Sequence, residues 1–135
     1  MLKSLPIILA AAMLPLAPSD AAPRLTPEAE LARTLEGRIA GKPVDCISLR
    51  QVRSSRIIDD TAIVYDAGST LYVNRPRSGA ESLDRWDTLV TKLQSDRLCS
   101  IDTVRLYDTA SRMETGFVFL GDFVPYRRTG YKRAD

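Results

Sequence analysis

Apolar residues recur every four positions from Leu31 through Leu35 to Ile39, with polar or charged residues filling most of the intervals. That spacing draws one narrow apolar stripe along a helix. Thr26-Pro27-Glu28 supplies its start: a hydroxyl that can cap, a proline suited to the first helical position and, with Glu30, negative charge at the positive end of the helix dipole. Gly41 and Pro43 supply a stop, so the pattern predicts a helix over residues 27–40. So narrow a stripe suits a helix laid on the surface of a larger core. The same stripe would suit a partner-binding helix, although packing on the parent domain is the commoner use.

From Val44 onward the pattern becomes that of strands. The run RIIDDTAIVYDAGSTLYVNRP holds two β-rich segments, Thr61–Tyr65 and Thr70–Asn74, joined by Asp66-Ala67-Gly68-Ser69, a glycine-containing hairpin signal. Thr103–Tyr107 alternates, with Val104 and Leu106 on one face and Thr103, Arg105 and Tyr107 on the other. GFVFLGDFV, starting at Gly116, is apolar on both faces and is expected to be a strand buried on both sides or a barrel stave. A loop over Asp108–Thr115 is expected before it. The segment SLDRWDTLVTKL fits two assignments: Leu83, Trp86, Val90 and Leu93 share a helical face behind Ser82, whereas Thr88, Val90 and Thr91 are β-branched. A strand over 87–93 is preferred. The expected fold is mainly β, a small antiparallel barrel or sandwich of about six or seven strands preceded by one amphipathic helix. The β core would run over residues 44–125 and a basic tail over 126–135.

The first residues change the picture of where this fold works. Lys3 gives a short basic start, an apolar run extends from Leu5 to Ala17, and Ser19 and Ala21 are small residues at the −3 and −1 positions of a signal-peptidase site. This is the tripartite pattern of a secretory signal, with cleavage expected after Ala21 because Pro23 would follow a cut at Ala22. The run is interrupted by Pro6 and Pro15 and falls short of the roughly 20 apolar residues of a spanning helix. No cysteine precedes Cys46, which leaves none for lipid attachment at the cleavage site. Residues 22–135 are then expected to be one exported domain with no transmembrane segment, periplasmic in the first instance and extracellular as the alternative.

Export makes the two cysteines a pair. Thiols join in oxidising compartments, and Cys46 and Cys99 stand too far apart for a C-x-x-C redox site. Each borders a strand-like run, VDCISL and RLCSI, so a bridge between neighbouring strands is sterically reasonable. On the chain-entropy view, closing such a loop stabilises the fold by about 4 kcal/mol. A reactive thiol would need a base or cationic neighbour; Arg97 is near Cys99, but the chain has no histidine.

Several of these segments together resemble a family of short exported bacterial proteins of unknown function. The similar segments are VDCISLRQVRSSRIIDDTAIVYDAGSTLYVNRP, LCSIDTVRLYD and GFVFLGDFVPYRR, spanning roughly residues 36–128. The family pattern falls here on Cys46, Val52-Arg53-Ser54, Ile58-Asp59 with Thr61, Leu98-Cys99 with Asp102, and Leu120-Gly121 with Phe123. Many members carry a second cysteine pair, one of whose cysteines stands where this chain has Val118. Its loss as a pair fits Cys46–Cys99 as the remaining bridge. The resemblance implies an exported, disulfide-bonded, β-rich protein and implies no activity.

Charge and chemistry narrow the function further. Nineteen lysines and arginines against 17 acidic residues leave a net +2, which does not suggest a nucleic-acid partner. Without histidine there is no Ser-His-Asp or Cys-His nucleophile system, and a catalytic zinc is not expected. Nucleophile-elbow and phosphate-loop motifs are absent, so no cofactor is expected. Paired carboxylates remain; Asp59, Asp60, Asp66, Asp102, Asp108 and Asp122 are the candidates, most of them beside turns where aspartate caps backbone. Two basic groups are candidate anion sites: Arg50, Arg53 and Arg56 at three-residue intervals, and Arg127, Arg128, Lys132 and Arg133 in the tail with Tyr126 and Tyr131. On a regular strand Arg53 would face away from Arg50 and Arg56, and both groups also suit a plain solvated surface. Two functions are therefore expected in order of preference. The first is a non-catalytic envelope module that binds a protein or an anionic glycan or lipid. The alternative is a small carboxylate-dependent hydrolase or lyase.

Overall fold

The computed structural model describes residues 12–18 and 23–130. Residues 12–18 are exposed and carry no helix or strand; the rest of the expected leader, and Lys132 and Arg133, lie outside the described residues. Helix α1 (Pro27–Thr34) begins as its sequence predicts, with the Thr26 hydroxyl accepting from the Ala29 amide at 3.2 Å and Pro27 in the first turn. It does not continue to residue 40. Gly37 takes a left-handed φ of 73° and turns the chain into β1 (Arg38–Ala40), which pairs with β10 (Phe123–Arg128). Ile39 thus completes no helical stripe: it lies opposite Arg127 on that strand and is 61% exposed, while Leu31 is buried and Leu35 packs beside it.

The remaining strands are β2 (Cys46–Ser48), β3 (Ser54–Ile58), β4 (Ala62–Asp66), β5 (Thr70–Asn74), β6 (Thr88–Thr91), β7 (Arg97–Cys99), β8 (Thr103–Asp108) and β9 (Met113–Phe119). They form a five-stranded sheet in the order β1-β10-β5-β4-β3, a three-stranded sheet β6-β8-β9 and a two-stranded ladder β2-β7. Every pairing is antiparallel. The sheets do not close, so the fold is the sandwich and not the barrel, with ten strands in place of the expected six or seven. The count exceeds the expectation because the sequence pattern assigns no strand to β1 or β3 and GFVFLGDFV divides between β9 and β10.

Two apolar clusters hold the layers together. Ile57, Ile63 and Tyr65 on one face of the large sheet meet Val104, Leu106 and Val118 of the three-stranded sheet and Ile47 and Leu98 of the ladder, with Leu83, Leu120 and Phe123 completing the interior. On the opposite face Ile58, Ala62, Val64, Leu71 and Val73 lie under α1 through Leu31. Strand β4 is accordingly buried on both sides. Burying an aliphatic side chain of this size contributes about 1.5–3 kcal/mol, so these contacts are the main drive for layering.

The hairpin expected at Asp66–Ser69 is present: Ala67 N donates to Thr70 O at 2.9 Å, and Gly68, at φ 83°, donates to the Asp66 carboxylate at 2.7 Å. Within residues 87–93, Thr88–Thr91 take the strand form as β6. The loop expected at Asp108–Thr115 is shorter, because β9 begins at Met113 and pairs back on β8. GFVFLGDFV is not one buried strand. It ends β9 with Phe117 and Phe119 exposed at 51% and 41%, crosses between sheets at Leu120–Asp122, and starts β10 with Phe123 buried. Asn74, fully buried, fixes the crossing: its side chain donates to Gly121 O at 2.7 Å and accepts from Gly121 N at 3.0 Å. A Cβ at Gly121 would collide with the Arg75 carbonyl oxygen, so only glycine fits there.

Candidate functional site

The four-residue link Asp84-Arg85-Trp86-Asp87 joins buried Leu83 to β6, and it is tied down from several sides. Within the turn, Asp87 N donates to Asp84 O at 3.0 Å and the Asp84 carboxylate accepts from Trp86 N at 2.9 Å. Across it, Arg85 binds the β3–β4 turn through its backbone N (2.7 Å) and Nε (2.8 Å), both donating to Asp59, and reaches α1 by Nη2 to Glu30 at 3.0 Å. These carboxylates, Asp59 first, raise the guanidinium pKa above its ordinary value. Asp60 N donates to Leu83 O at 3.1 Å, and the Thr115 hydroxyl of β9 bonds the Asp87 carboxylate. A helix, a hairpin turn and a strand of the other sheet therefore hold one short turn.

What that turn presents is Trp86, the only tryptophan of the chain, 80% exposed. Tryptophan is strongly buried on average, so an exposed ring on a firmly bonded turn is a feature to explain. Two clefts meet at it. One, of about 520 Å³, runs between β3 and β6 and is lined by Ser55, Arg56 and Ile57 on one side and Thr88 and Leu89 on the other. The second, of about 760 Å³, has Leu25 and Pro27 as an apolar wall and Asp59, Asp60 and Asp84 as its acidic side. Both share Glu30, Arg85 and Trp86. A smaller depression places Asp84, Asp87 and Asp108 around the same ring. Volumes of this order are those of ligand sites, and the mixture of one large aromatic with a few convergent charges is their usual chemistry.

The residues singled out as anion ligands are scattered. Arg50 pairs with Asp96 at 2.9 Å in the turn after β2. Arg53 precedes β3, its guanidinium lying over Gly68 of the β4–β5 hairpin. Arg56 lines the cleft beside Trp86 and also a depression shared with Arg38 under α1. Arg127 and Arg128 are consecutive in β10, so they project from opposite faces of the sheet, and Arg128 lies opposite Arg38. Arg56 and Arg128 share a face but stand three strands apart, at least about 14 Å. The first three residues of the expected basic tail, Tyr126–Arg128, are therefore strand and lie inside the large sheet.

Of the aspartates named for carboxylate chemistry, four serve the backbone or an ion pair. Asp59 holds Arg85, Asp66 accepts from Gly68, Asp102 accepts from Cys99 N at 2.7 Å, and Asp108 accepts from Ala110 and Ser111, which lowers its pKa. Among the described residues no group of three or more Cys, Asp and Glu side chains is placed to hold a metal ion. Cys46 and Cys99 stand directly opposite each other in the β2–β7 ladder and are disulfide-bonded at 2.06 Å.

A second exposed surface lies on the outer face of the three-stranded sheet, where Phe117 and Phe119 stack edge to face at 5.5 Å beside Val90 and the Arg105–Glu114 ion pair. Its rings satisfy one another, and no anchored turn presents them. One of the two sequence assignments for SLDRWDTLVTKL set Trp86 on a helical face; the signal against it was its position between two turn-forming aspartates. No protein-family description matches the chain, and neither a characterised protein nor a solved structure matches it.

Proposed function

We propose that the protein is an exported binding module of the cell envelope, non-catalytic, which grips a partner protein through the cleft at Trp86. The carrying observation is the one just described: a single tryptophan, 80% exposed, on a turn whose neighbouring residues are bonded from three separate elements. Fixing a turn before binding removes that ordering cost from the binding step, and tryptophan and arginine are the residue types that dominate interface energetics. Export is supported by the leader pattern over residues 1–21 and by the disulfide, which suits an oxidising compartment. Among the described residues the candidate anion-binding arginines Arg50, Arg53, Arg56, Arg127 and Arg128 form no common patch, which favours a protein partner over an anionic glycan or lipid.

Retention on washed envelope fractions tests this reading. Wild-type protein is expected to be retained, and Trp86→Ala to lose retention about tenfold while its fold and disulfide remain intact. Equal retention of both proteins would remove the Trp86 cleft from the account. Intact mass of the periplasmic protein tests the address, with Ala22 expected as the first residue.

A further inference from the structure

The edges of the sheets are not equally open. β1, at one border of the large sheet, is only three residues long, which blunts it. β9, at a border of the three-stranded sheet, has its C-terminal part covered, because Arg77 N donates to Phe119 O at 2.9 Å and Phe119 N to Ser78 O at 3.1 Å. The other two borders of these two larger sheets are β3 and β6, and both open into the cleft that ends at Trp86. Neither contains the proline or glycine that protects many edges. A free edge offers a row of backbone donors and acceptors that an extended peptide satisfies and a sugar or lipid does not.

Charge selects the peptide. Around the ring, six carboxylates face three arginines, a local excess of negative charge on a chain whose net charge is +2. Of those arginines, Arg85 is already committed to Glu30 and Asp59. Asp84 and Asp87 each use one oxygen in holding the turn and keep the other as an acceptor beside the indole. An ammonium or guanidinium group over a tryptophan face, flanked by carboxylates, meets both requirements of that setting.

Resting on the reading of the Trp86 cleft as the binding face, we propose that it takes an extended segment of a partner protein that pairs along the β3 edge and seats a lysine or arginine on Trp86 between Asp84 and Asp87. The pairing gives affinity without regard to sequence, and the aromatic–acidic seat selects the cationic residue.

Emission of the sole tryptophan reads the site directly. The full chain is titrated with an acetylated, amidated octapeptide of alternating threonine and lysine, with its threonine–glutamate counterpart, and with chitohexaose. The lysine peptide alone is expected to shift the emission, with affinity falling as salt rises. The double variant Asp84→Asn, Asp87→Asn keeps the oxygens that hold the turn and is expected to weaken binding about tenfold. Amide exchange at Ser55–Ile57 is expected to slow on binding. Equal binding of the glutamate peptide, binding of chitohexaose alone, or lysine-peptide binding without protection at Ser55–Ile57 would overturn the proposal and leave the cleft reading standing. So would failure of every probe while envelope retention still depends on Trp86. Retention indifferent to Trp86 would overturn both.

Discussion

Two buried polar side chains in this interior differ in one respect, and the difference has a sign. Asn74 makes both of its hydrogen bonds to Gly121, and those bonds hold the crossing from β9 to β10. Tyr65, stacked on Phe123 at 5.8 Å, carries a buried hydroxyl with no partner among the described residues, and burial raises its pKa. Removing a partner from a buried group exposes the cost of desolvating what is left, about 1–3 kcal/mol, whereas removing an unpaired group does not. Asn74→Leu is therefore expected to lower stability in urea by about 2–3 kcal/mol, and Tyr65→Phe to leave it unchanged or raise it. The same scale shows where sequence reading reaches its limit. Thr26 and Pro27 announce their roles because capping is local. Asn74 does not, because its partner is 47 positions away. Trp86 is ambiguous for a related reason: an apolar ring counts toward any periodicity, and the turn that carries it is held by tertiary bonds to Asp59, Glu30 and Thr115.

At the scale of elements, strands with local signals were legible and those made by distant pairing were not. The β4–β5 hairpin and β8 show their alternation and turn residues plainly. β1, three residues with no period of its own, exists because β10 supplies the ladder, whereas β2 and β7, equally short, lie in the strand-like runs VDCISL and RLCSI beside the cysteines. Gly37, four positions before the expected stop, ends α1 because it can enter the left-handed region and β10 offers an edge. The ladder β2–β7 has the most to lose on its own, since three residue pairs bury little surface. Its disulfide closes a separation of 53 positions, and replacing both cysteines by alanine is expected to cost about 4 kcal/mol. Thermal unfolding with and without reductant checks this: the wild type should lose stability on reduction, and the double variant should not respond.

For the whole molecule, the sandwich serves as a frame that brings two sheet edges and one tryptophan turn to a common cleft. The helix covers the far face of the large sheet, the crossing at Gly121 sets the two sheets together, and the bonds of Arg85 fasten the turn across them. The disulfide was legible in the two cysteines and the strand-like runs beside them, which show in the sequence without reference to the fold. The Trp86 cleft was not, since it is composed of α1, β3, β6 and a turn that meet only in the fold. The most direct measurement is the emission spectrum of Trp86 as solubilised envelope extract is added, because this chain's only tryptophan reports on no other place. The account predicts a saturable shift to shorter wavelength as the 80% exposed ring is covered. Saturable binding of extract, followed independently by sedimentation, with the Trp86 emission unmoved would contradict it.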